Sequence, residues 1–490
     1  MTDNHHNLAI TRRTALAGAL GTAAAIAAAP AFAQPASRRQ PNILYIMADD
    51  LGYADLSCYG RRDYETPVLD ALAREGMLFT HAYANSAVCT ATRVGLITGR
   101  YQYRVPVGLR EPLAFEDVGL PPEHPTLPSL LRQAGYRTTL IGKWHMGALP
   151  RFGPLKSGYD EFWGIYGGGV DYFGHDFGDQ SDLWDGETRV EEAGYLTDLL
   201  AERTIETLDK RKADGEPFFI SLHFTAPHWP WEANDEEGRA ESGRLAGNPG
   251  LGAGGIQHYD GGTLATYAKM MKSLDDNIGR VLQKLAALGM DRDTIVVFTS
   301  DNGGERFSDT WPFTGKKSEL LEGGLRIPAM VRWPGVVEAG SQSAVPIMSM
   351  DWLPTFLAAG GGRQDPAYQS DGVDIRAALA GGTLPERSLF WRYGYRAQRA
   401  HRRGNYKYLK INDNEFLFDV VADPLERGNL KDRQPERFAE LKAAWEQWDA
   451  GMLHDPNALS IGNQPATVAD RFNSPPLGRP PGPPPPAAAD

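Results

Sequence analysis

Four short apolar runs along the chain each end at a loop that carries polar residues or glycine. The runs cover residues 42–47, 137–141, 218–224 and 294–300. They are rich in β-branched and aromatic residues and apolar at consecutive positions, which favours strands buried on both faces. The pattern therefore predicts four strands of one interior sheet.

Helical patterns lie between these runs. Three helices are predicted, each closed by a glycine, over residues 66–75, 126–134 and 263–288. The first two begin with a threonine and a nearby proline, which is typical of a capped helix N-terminus. Strands that alternate with helices indicate an α/β fold, with a large and mostly parallel sheet flanked by helices on both faces.

A second region is predicted after the small-residue run 358–362, which is interpreted as a hinge. Beyond it lie β-rich runs at 389–395, 406–411 and 416–419 and an amphipathic helix at 435–448. The chain is therefore predicted to contain a catalytic domain over 38–362 and a small α+β C-terminal domain over 363–455. Residues 456–490 are rich in proline and alanine and are predicted to be disordered.

The first 33 residues have the pattern of an export signal. Arg12-Arg13 precede an Ala-rich apolar stretch, and Ala31-Phe32-Ala33 forms a small-residue cleavage site. This combination predicts a bacterial Tat-type signal peptide over 1–33, with the Tat translocase as a partner and a periplasmic or secreted mature protein. An uncleaved N-terminal membrane anchor is the alternative. No later stretch reaches the roughly 18 apolar residues of a spanning helix.

Composition narrows the function classes. The 490-residue chain carries a net charge of -12, which argues against nucleic acid as a partner because phosphate binding favours a basic face. Only two cysteines are present, Cys58 and Cys89. In an exported protein they could form a disulfide, although a chain of this size does not depend on one.

The loops that follow the predicted strands carry the candidate chemistry. Asp49, Asp50, Asp301 and Asn302 offer oxygen ligands, which hard cations such as Ca²⁺ or Mg²⁺ prefer. Adjacent carboxylates repel one another unless a cation or protons neutralise them. Either acidic pair alone could simply cap a helix or turn. Because ligands bind beyond the carboxyl ends of parallel strands, the two pairs together predict a metal site.

Cationic and proton-transferring groups follow the other two strands. Lys143, His145 and His228 lie just past strand ends, and either Lys316 or Lys317 is expected to join them. This set suits the binding and turnover of an oxyanion. The competing interpretation is that the lysines are solvated surface residues and that the histidines have only a structural role.

Cys89 opens a further predicted helix, and Arg93 follows it by one turn. Unpaired N–H donors and the positive end of the helix dipole stabilise an anion at this position. The location suits a thiolate nucleophile, and it equally suits a nucleophile that carries phosphate or sulfate. Arg93 is expected to neutralise an oxyanion or to hold the Cys89 side chain.

Several motifs, taken in their order along the chain, resemble those of a known protein family. Residues 89–93 (CTATR) and 96–100 (LITGR) resemble the C-x-(P/A)-x-R and (L/I)-T-G-R signature of type I sulfatases, in the alkaline phosphatase superfamily. Residues 322–328 (EGGLRIP) match the EGG-x-R-x-P run of that family. Residues 42–52, 142–147, 226–228 and 300–304 are similar to other sulfatase segments. The resemblance covers about residues 42–334.

The resemblance implies a mechanism. A formylglycine-generating maturation enzyme would oxidise Cys89 to Cα-formylglycine, with Ca²⁺ rather than Mg²⁺ held by Asp49, Asp50, Asp301, Asn302 and the modified Cys89. One hydroxyl of the aldehyde hydrate, held by Ca²⁺ and deprotonated with help from Asp301, would attack sulfur and displace the alcohol. His145 would accept a proton from the second hydroxyl, so that sulfate leaves and the aldehyde re-forms.

The resemblance also implies the substrate-binding roles. His228 would donate a proton or hydrogen bond to the leaving oxygen, while Lys143 and a second lysine would neutralise the sulfate. The spacing to Glu322 favours Lys317 over Lys316 for that second lysine, although the doublet leaves both open.

The predicted activity is hydrolysis of carbohydrate or aryl sulfate esters, and three rivals stay open. Ala91 stands where most family members have proline, and it also occurs in relatives that hydrolyse phosphonate monoesters or phosphodiesters. A thiol hydrolase would use unmodified Cys89. A non-catalytic calcium- or glycan-binding protein is the remaining rival. Six aromatic residues are candidates for stacking on a sugar or aryl ring of the substrate, although aromatic residues more often belong to the core. They are Trp163, Tyr166, Tyr172, Phe173, Trp229 and Trp231.

Overall fold

A ten-stranded sheet organises the fold. The computed structural model describes residues 40–112, 116–178, 180–246 and 261–454. The strands are β1 (Asn42–Ala48), β2 (Met77–Phe79), β3 (Ala82–Tyr83), β4 (Arg137–Lys143), β5 (Glu161–Ile165), β6 (Asp176–Phe177), β7 (Gln180–Ser181), β8 (Trp184–Asp185), β9 (Thr188–Arg189), β10 (Phe218–His223), β11 (Thr294–Ser300), β12 (Ala329–Arg332), β13 (Ser341–Ser343), β14 (Ile347–Met348), β15 (Ser388–Tyr393), β16 (Gln398–Arg403), β17 (Tyr406–Ile411) and β18 (Asn414–Asp419).

The central part of the sheet is parallel. Its strand order is β13-β2-β12-β11-β1-β10-β4-β5-β8-β9, and β11, β1, β10, β4 and β5 all run in one direction. β12 and β8 are antiparallel to their inner neighbours. The four strands predicted from sequence are therefore confirmed as four adjacent strands, and the sheet is mixed but mostly parallel.

Helices cover both faces of this sheet. On one side, Leu44 and Ile46 of β1 pack in a core with α1, α4 and α6; on the other side, Ile43 and Tyr45 pack with α2, α3 and α8. Burial on both faces explains why the strands are apolar at consecutive positions. The helices are α1 (Pro67–Glu75), α2 (Cys89–Thr98), α3 (Leu127–Gln133), α4 (Leu196–Asp214), α5 (Glu236–Ala246), α6 (Leu264–Ala287), α7 (Glu322–Leu325), α8 (Trp352–Gly360), α9 (Arg376–Leu379) and α10 (Pro435–Asp449).

The predicted helix starts are correct, but one cap works differently. Thr126 and Thr263 cap α3 and α6, since each hydroxyl accepts from the backbone N–H three residues on. Thr66 makes no such bond. Instead, the Asp275 carboxylate from α6 accepts from the first backbone N–H groups of α1, at 3.0 and 2.9 Å. A long-range contact thus replaces the local cap.

A four-stranded antiparallel sheet, in the order β15-β16-β17-β18, follows the large sheet in sequence. One of its faces packs on α10 through Tyr408, Leu417 and Trp445. β15, β17, β18 and α10 confirm the small α+β C-terminal region. β16 was not predicted, because its sequence QRAHRR has no apolar alternation.

The run 358–362 is not an extended hinge. Residues 358–360 belong to α8, and Gly361, with φ 73°, ends that helix in the left-handed region. The domain boundaries around residue 362 stay a prediction. The predicted signal peptide over 1–33 and the predicted disordered tail over 456–490 lie outside the described residues. Within the described ranges, no helix is long and apolar enough to cross a bilayer.

A buried ionic network joins the C-terminal sheet to α7. Lys407 of β17 lies between Glu322 and Glu426, with its Nζ 2.9 Å from each carboxylate. Arg326 pairs with the other oxygen of Glu322 at 2.7 Å, and Tyr83 donates to that same oxygen at 2.6 Å. Buried charges are stable only when paired and hydrogen-bonded, so this network fixes α7 against the C-terminal sheet.

Candidate active site

Four neighbouring parallel strands, β11, β1, β10 and β4, end at the same edge of the sheet. Ala48 lies opposite Ser300, Met47 opposite His223, and His223 opposite Gly142. Because these carboxyl ends coincide, the polar residues that follow each strand converge on one buried cluster.

The acidic part of this cluster contains Asp49, Asp50, Asp301 and Asn302, each at most 2% exposed. The backbone N–H of Asp50 donates to Asp301 at 3.2 Å, and the Asn302 amide donates to Asp50 at 2.7 Å. The Oδ1 atom of Asn302 is buried and has no hydrogen-bond partner among the described residues. An unpaired buried acceptor beside carboxylates is the arrangement that a cation would complete.

Three cations surround these carboxylates. Arg93 Nη2 lies 2.9 Å from Asp301, Lys143 Nζ bonds Asp49, and Lys317 Nζ lies 2.7 Å from Asp50. Each cation neutralises a different aspartate. Of the two lysines that the sequence left open, Lys317 is buried against Asp50 and Lys316 is half-buried.

Cys89 is the first residue of α2 and lies against the acidic cluster. Its Sγ is 3.5 Å from Asp49 and 3.9 Å from Asp50. The helix has no side-chain cap, so its first N–H groups stay available to an anion. Cys58 and Cys89 are both free thiols, which rules against the disulfide alternative.

Burial and neighbouring charges shift the pKa values of several groups in this cluster. Burial and the nearby Asp301 raise the pKa of Asp49 well above its usual range. Burial opposes ionisation of Asp301 too, but Arg93 and Lys143 outweigh it and lower the pKa of that carboxyl to about 2. Burial also raises the pKa of the Cys89 thiol well above its usual range, despite both lysines. The helix N-terminus therefore does not make this buried thiol a thiolate.

Two histidines face the same cluster. Burial, reinforced by nearby cations, lowers the pKa of both His145 and His228 well below the usual range, so both rings are neutral at pH 7. His228 Nδ1 lies 2.6 Å from the Trp229 carbonyl, and its Nε2 lies 3.5 Å from Asp50. Because Nδ1 donates to that carbonyl, Nε2 carries the lone pair toward the cluster.

A glycine pair lets these rings approach the backbone. A Cβ added at Gly168 would lie 2.6 Å from Cε1 of His145, and one at Gly169 would lie 3.0 Å from Cε1 of His228. No candidate role was predicted for these glycines from the sequence. The GGG run at 167–169 was the available signal.

The backbone that presents Lys317 is held from two sides. Ser318 adopts φ 70°, and its N–H donates to the Ala87 carbonyl at 2.9 Å. Gln398, at the start of β16, donates to the Ser318 carbonyl at 2.9 Å and accepts from the Leu320 N–H at 2.8 Å. The C-terminal sheet thus positions a residue of the site, which the sequence did not reveal.

Glu111 also reaches the cluster, although no motif pointed to it. One of its carboxylate oxygens, the Cys89 sulfur and a His145 ring nitrogen lie within 4.8 Å of one another. Burial raises the pKa of Glu111 to about 7, against the opposing charges of Lys317 and Lys143.

The candidate stacking aromatics belong mainly to the core. Five of the six side chains are at most 8% exposed: Trp163, Tyr166, Tyr172, Trp229 and Trp231. The sixth, Phe173, is half-buried and packs against the core. They do not form an open ring-stacking surface.

A mostly parallel sheet, an oxygen-rich acidic cluster at its strand ends, and Cys89 beside that cluster at a helix N-terminus are features that suit a hydrolase of anionic esters. Residues 41–362 match the protein family Sulfatase. Human (Homo sapiens) N-acetylgalactosamine-6-sulfatase is 32% identical over 383 residues, which cover 72% of this chain and 68% of the human protein.

Bovine (Bos taurus) arylsulfatase A is 31% identical over 510 residues, covering 90% of this chain and 94% of its own length. The crystal structure of Ps i-CgsB in complex with k-i-k-neocarrahexaose is 28% identical with a TM-score of 0.76, over 85% of this chain and 96% of that one. The chain belongs to the sulfatase family, as a type I sulfatase of the alkaline phosphatase superfamily, and is a sulfuric ester hydrolase.

The bracing of Lys317 gives a first prediction. Replacing Gln398→Ala leaves the Ser318 carbonyl and the Leu320 N–H unpaired, so the strained segment relaxes and moves Lys317 from its position. We expect kcat/KM for 4-nitrophenyl sulfate to fall about 10- to 100-fold, with weaker inhibition by inorganic sulfate.

Gln342→Ala makes the same chemical change at an exposed position of β13 and serves as the control. Wild-type kinetics and sulfate inhibition in a folded Gln398→Ala protein would show that this contact does not position Lys317.

Proposed function

We propose that this sulfatase hydrolyses sulfate esters of saccharides with a formylglycine formed from Cys89 and a bound Ca²⁺ ion. The observation that supports it most strongly is the contact of Cys89 with Asp49 and Asp50 at the start of α2. There, an oxygen nucleophile would lie against carboxylates that can hold a cation, and beside two lysines that can hold a sulfate.

The bare thiol is a poor candidate for the nucleophile. Its raised pKa keeps Cys89 protonated, and no described hydrogen bond pairs it with a histidine that could accept its proton. A hydrated aldehyde at the same carbon supplies an oxygen nucleophile instead. Since Cys89 is only 1% exposed, the maturation enzyme must act on the chain before it folds.

The donor set fits a calcium ion. Asp49, Asp50, Asp301 and Asn302 provide only oxygen, which suits a hard cation, and the unpaired Oδ1 of Asn302 is available as a ligand. When bound, such an ion supplies charge neutralisation and polarises an oxygen nucleophile beside it. Calcium accepts a larger and less regular set of oxygen ligands than magnesium does.

The surrounding side chains supply the rest of the chemistry. Lys143 and Lys317 hold the sulfate oxygens, and Arg93 supports them by fixing Asp301. Neutral His145 would accept the proton of the remaining hydroxyl on the sulfated formylglycine, so that the C–O bond to sulfate breaks and the aldehyde re-forms. His228 hydrogen-bonds the leaving oxygen through Nε2, the nitrogen that faces the cluster, and has to be protonated there before it can donate.

A saccharide is the favoured alcohol portion. Curated relatives of this chain include N-acetylgalactosamine-6-sulfatase, and the structural neighbour Ps i-CgsB is bound to a neocarrahexaose. The names of both proteins refer to sugars. The proposal of a saccharide substrate for this chain rests on its similarity to these two proteins.

The ester class is tested by comparing 4-nitrophenyl sulfate with ethyl 4-nitrophenyl phosphate, which share a leaving group. A sulfate ester offers three free oxygens to the cations of the site, and a phosphodiester offers two, so we expect kcat/KM to favour the sulfate by about 10²-fold. Cys89→Ala protein controls for contaminating hydrolases. A higher kcat/KM on the diester would instead support the phosphodiester or phosphonate alternative.

Metal dependence gives a further prediction. Chelation of Ca²⁺ leaves the buried carboxylates with only protein cations, so we expect Tm to fall by about 2–5 °C and to recover with Ca²⁺. Asn302→Leu keeps the side-chain size but removes a ligand, and should shrink the calcium-induced Tm shift. Identical melting with and without Ca²⁺ would argue against the site, and equal stabilisation by Mg²⁺ would argue against the choice of ion.

We further propose that the chain is exported by the Tat route, on the pattern of residues 1–33. Changing Arg12 and Arg13 together to Lys in a Tat-competent bacterium should retain the protein in the cytoplasm, while the unaltered chain reaches the periplasm. Unchanged fractionation of the double variant would contradict this route.

A further inference from the structure

Glu111 brings a carboxylate to the nucleophile that the proposed mechanism does not use. It lies just after a short turn of helix, Pro106–Leu109, on a loop above the acidic cluster. Its carboxylate, the Cys89 sulfur and a ring nitrogen of His145 lie within 4.8 Å of one another. The Oε1 atom of Glu111 is buried and accepts no hydrogen bond from any described residue.

This carboxylate is not suited to hold the sulfate. A sulfate ester offers only acceptor oxygens at its anionic end, and a carboxylate repels them. Glu111 is not among the four potential metal ligands Asp49, Asp50, Cys89 and His228; it shares only Cys89 with that group, through its own cluster with Cys89 and His145. Its unpaired oxygen therefore needs a donor from elsewhere, since buried acceptors are rarely left without one.

The alcohol portion of the substrate can provide that donor. The ester oxygen must lie close to Cys89 during the reaction, so substituents on the next carbon fall in the same small volume. A saccharide sulfated on a secondary ring hydroxyl can carry a hydroxyl or an amide N–H at that position, whereas a simple aryl sulfate and a sugar sulfated on its exocyclic primary hydroxyl carry neither.

We propose that Glu111 is a specificity residue that accepts a hydrogen bond from a hydroxyl or N–H on the carbon next to the sulfated one. This rests on the proposed function and refines its substrate class: the preferred alcohols are vicinal donors, as in sugars. A buried acceptor that is left unpaired penalises an alcohol without the donor.

Two synthetic esters isolate this contact: cyclohexyl sulfate and trans-2-hydroxycyclohexyl sulfate. Both have an alkyl leaving group, and they differ by one hydroxyl. We expect wild-type kcat/KM to favour the hydroxylated ester by about 10- to 100-fold. Glu111→Ala should bring that ratio to about 1, and Glu111→Gln, which keeps an acceptor oxygen without the charge, should give an intermediate ratio.

Asp117→Ala removes an exposed carboxylate farther along the same loop, and its ratio should match the wild type. A wild-type ratio in both Glu111 variants would overturn the proposal, because no contact with the hydroxyl would exist. An equal fall on both esters would overturn it too, since Glu111 would then act on the chemistry or on His145. Thermal melting confirms that the variants fold.

Failure of this proposal is separable from failure of the proposed function. If wild-type enzyme releases sulfate from 4-nitrophenyl sulfate but the ratio does not depend on Glu111, only the specificity role is wrong. If wild-type enzyme releases no sulfate from any of the three esters or from sulfated monosaccharides, the proposed function fails, and the specificity role fails with it.

Discussion

Three carboxylates buried at adjacent strand ends are the constraint on which the rest of the site depends. Asp49, Asp50 and Asp301 lie together out of water, where like charges repel strongly. Arg93 and Lys143, from the nucleophile helix and a neighbouring strand, and Lys317, from a distant loop, each pair with one of them. The arrangement is stable only while positive charge lies beside these carboxylates, so the parts of the fold that hold the three cations are part of the site.

The same constraint explains how the lysines can act on a substrate. In the proposed function, a divalent cation among the aspartates would take over their neutralisation and would free Lys143 and Lys317 to face a sulfate. The C-terminal sheet matters here because Gln398 fixes the strained Ser318 and because Lys407 ties α7 to that sheet. A sheet far from the nucleophile in sequence thus contributes to the position of a sulfate-binding group.

Sequence reasoning succeeded where chemistry follows a regular element. Parallel strands end at one shared edge, so the sequence alone predicts that Asp49, Asp301 and the residues after β4 and β10 lie together. It missed Glu111 because an irregular loop has no periodicity that says where its side chains point. It missed β16 because Ala400 is the single apolar residue of that strand, so the strand shows no apolar alternation. The cap of α1 by Asp275 is a tertiary contact, which no local pattern encodes.

The central claim is that the working nucleophile at position 89 is not a thiol. Mass spectrometry of the tryptic peptide 75–93, which contains Cys89, tests it directly. Conversion to formylglycine predicts a peptide ~18 Da lighter than the unmodified sequence, with sulfatase activity proportional to the converted fraction across preparations. Full activity in protein whose Cys89 is entirely an unmodified thiol would contradict the account.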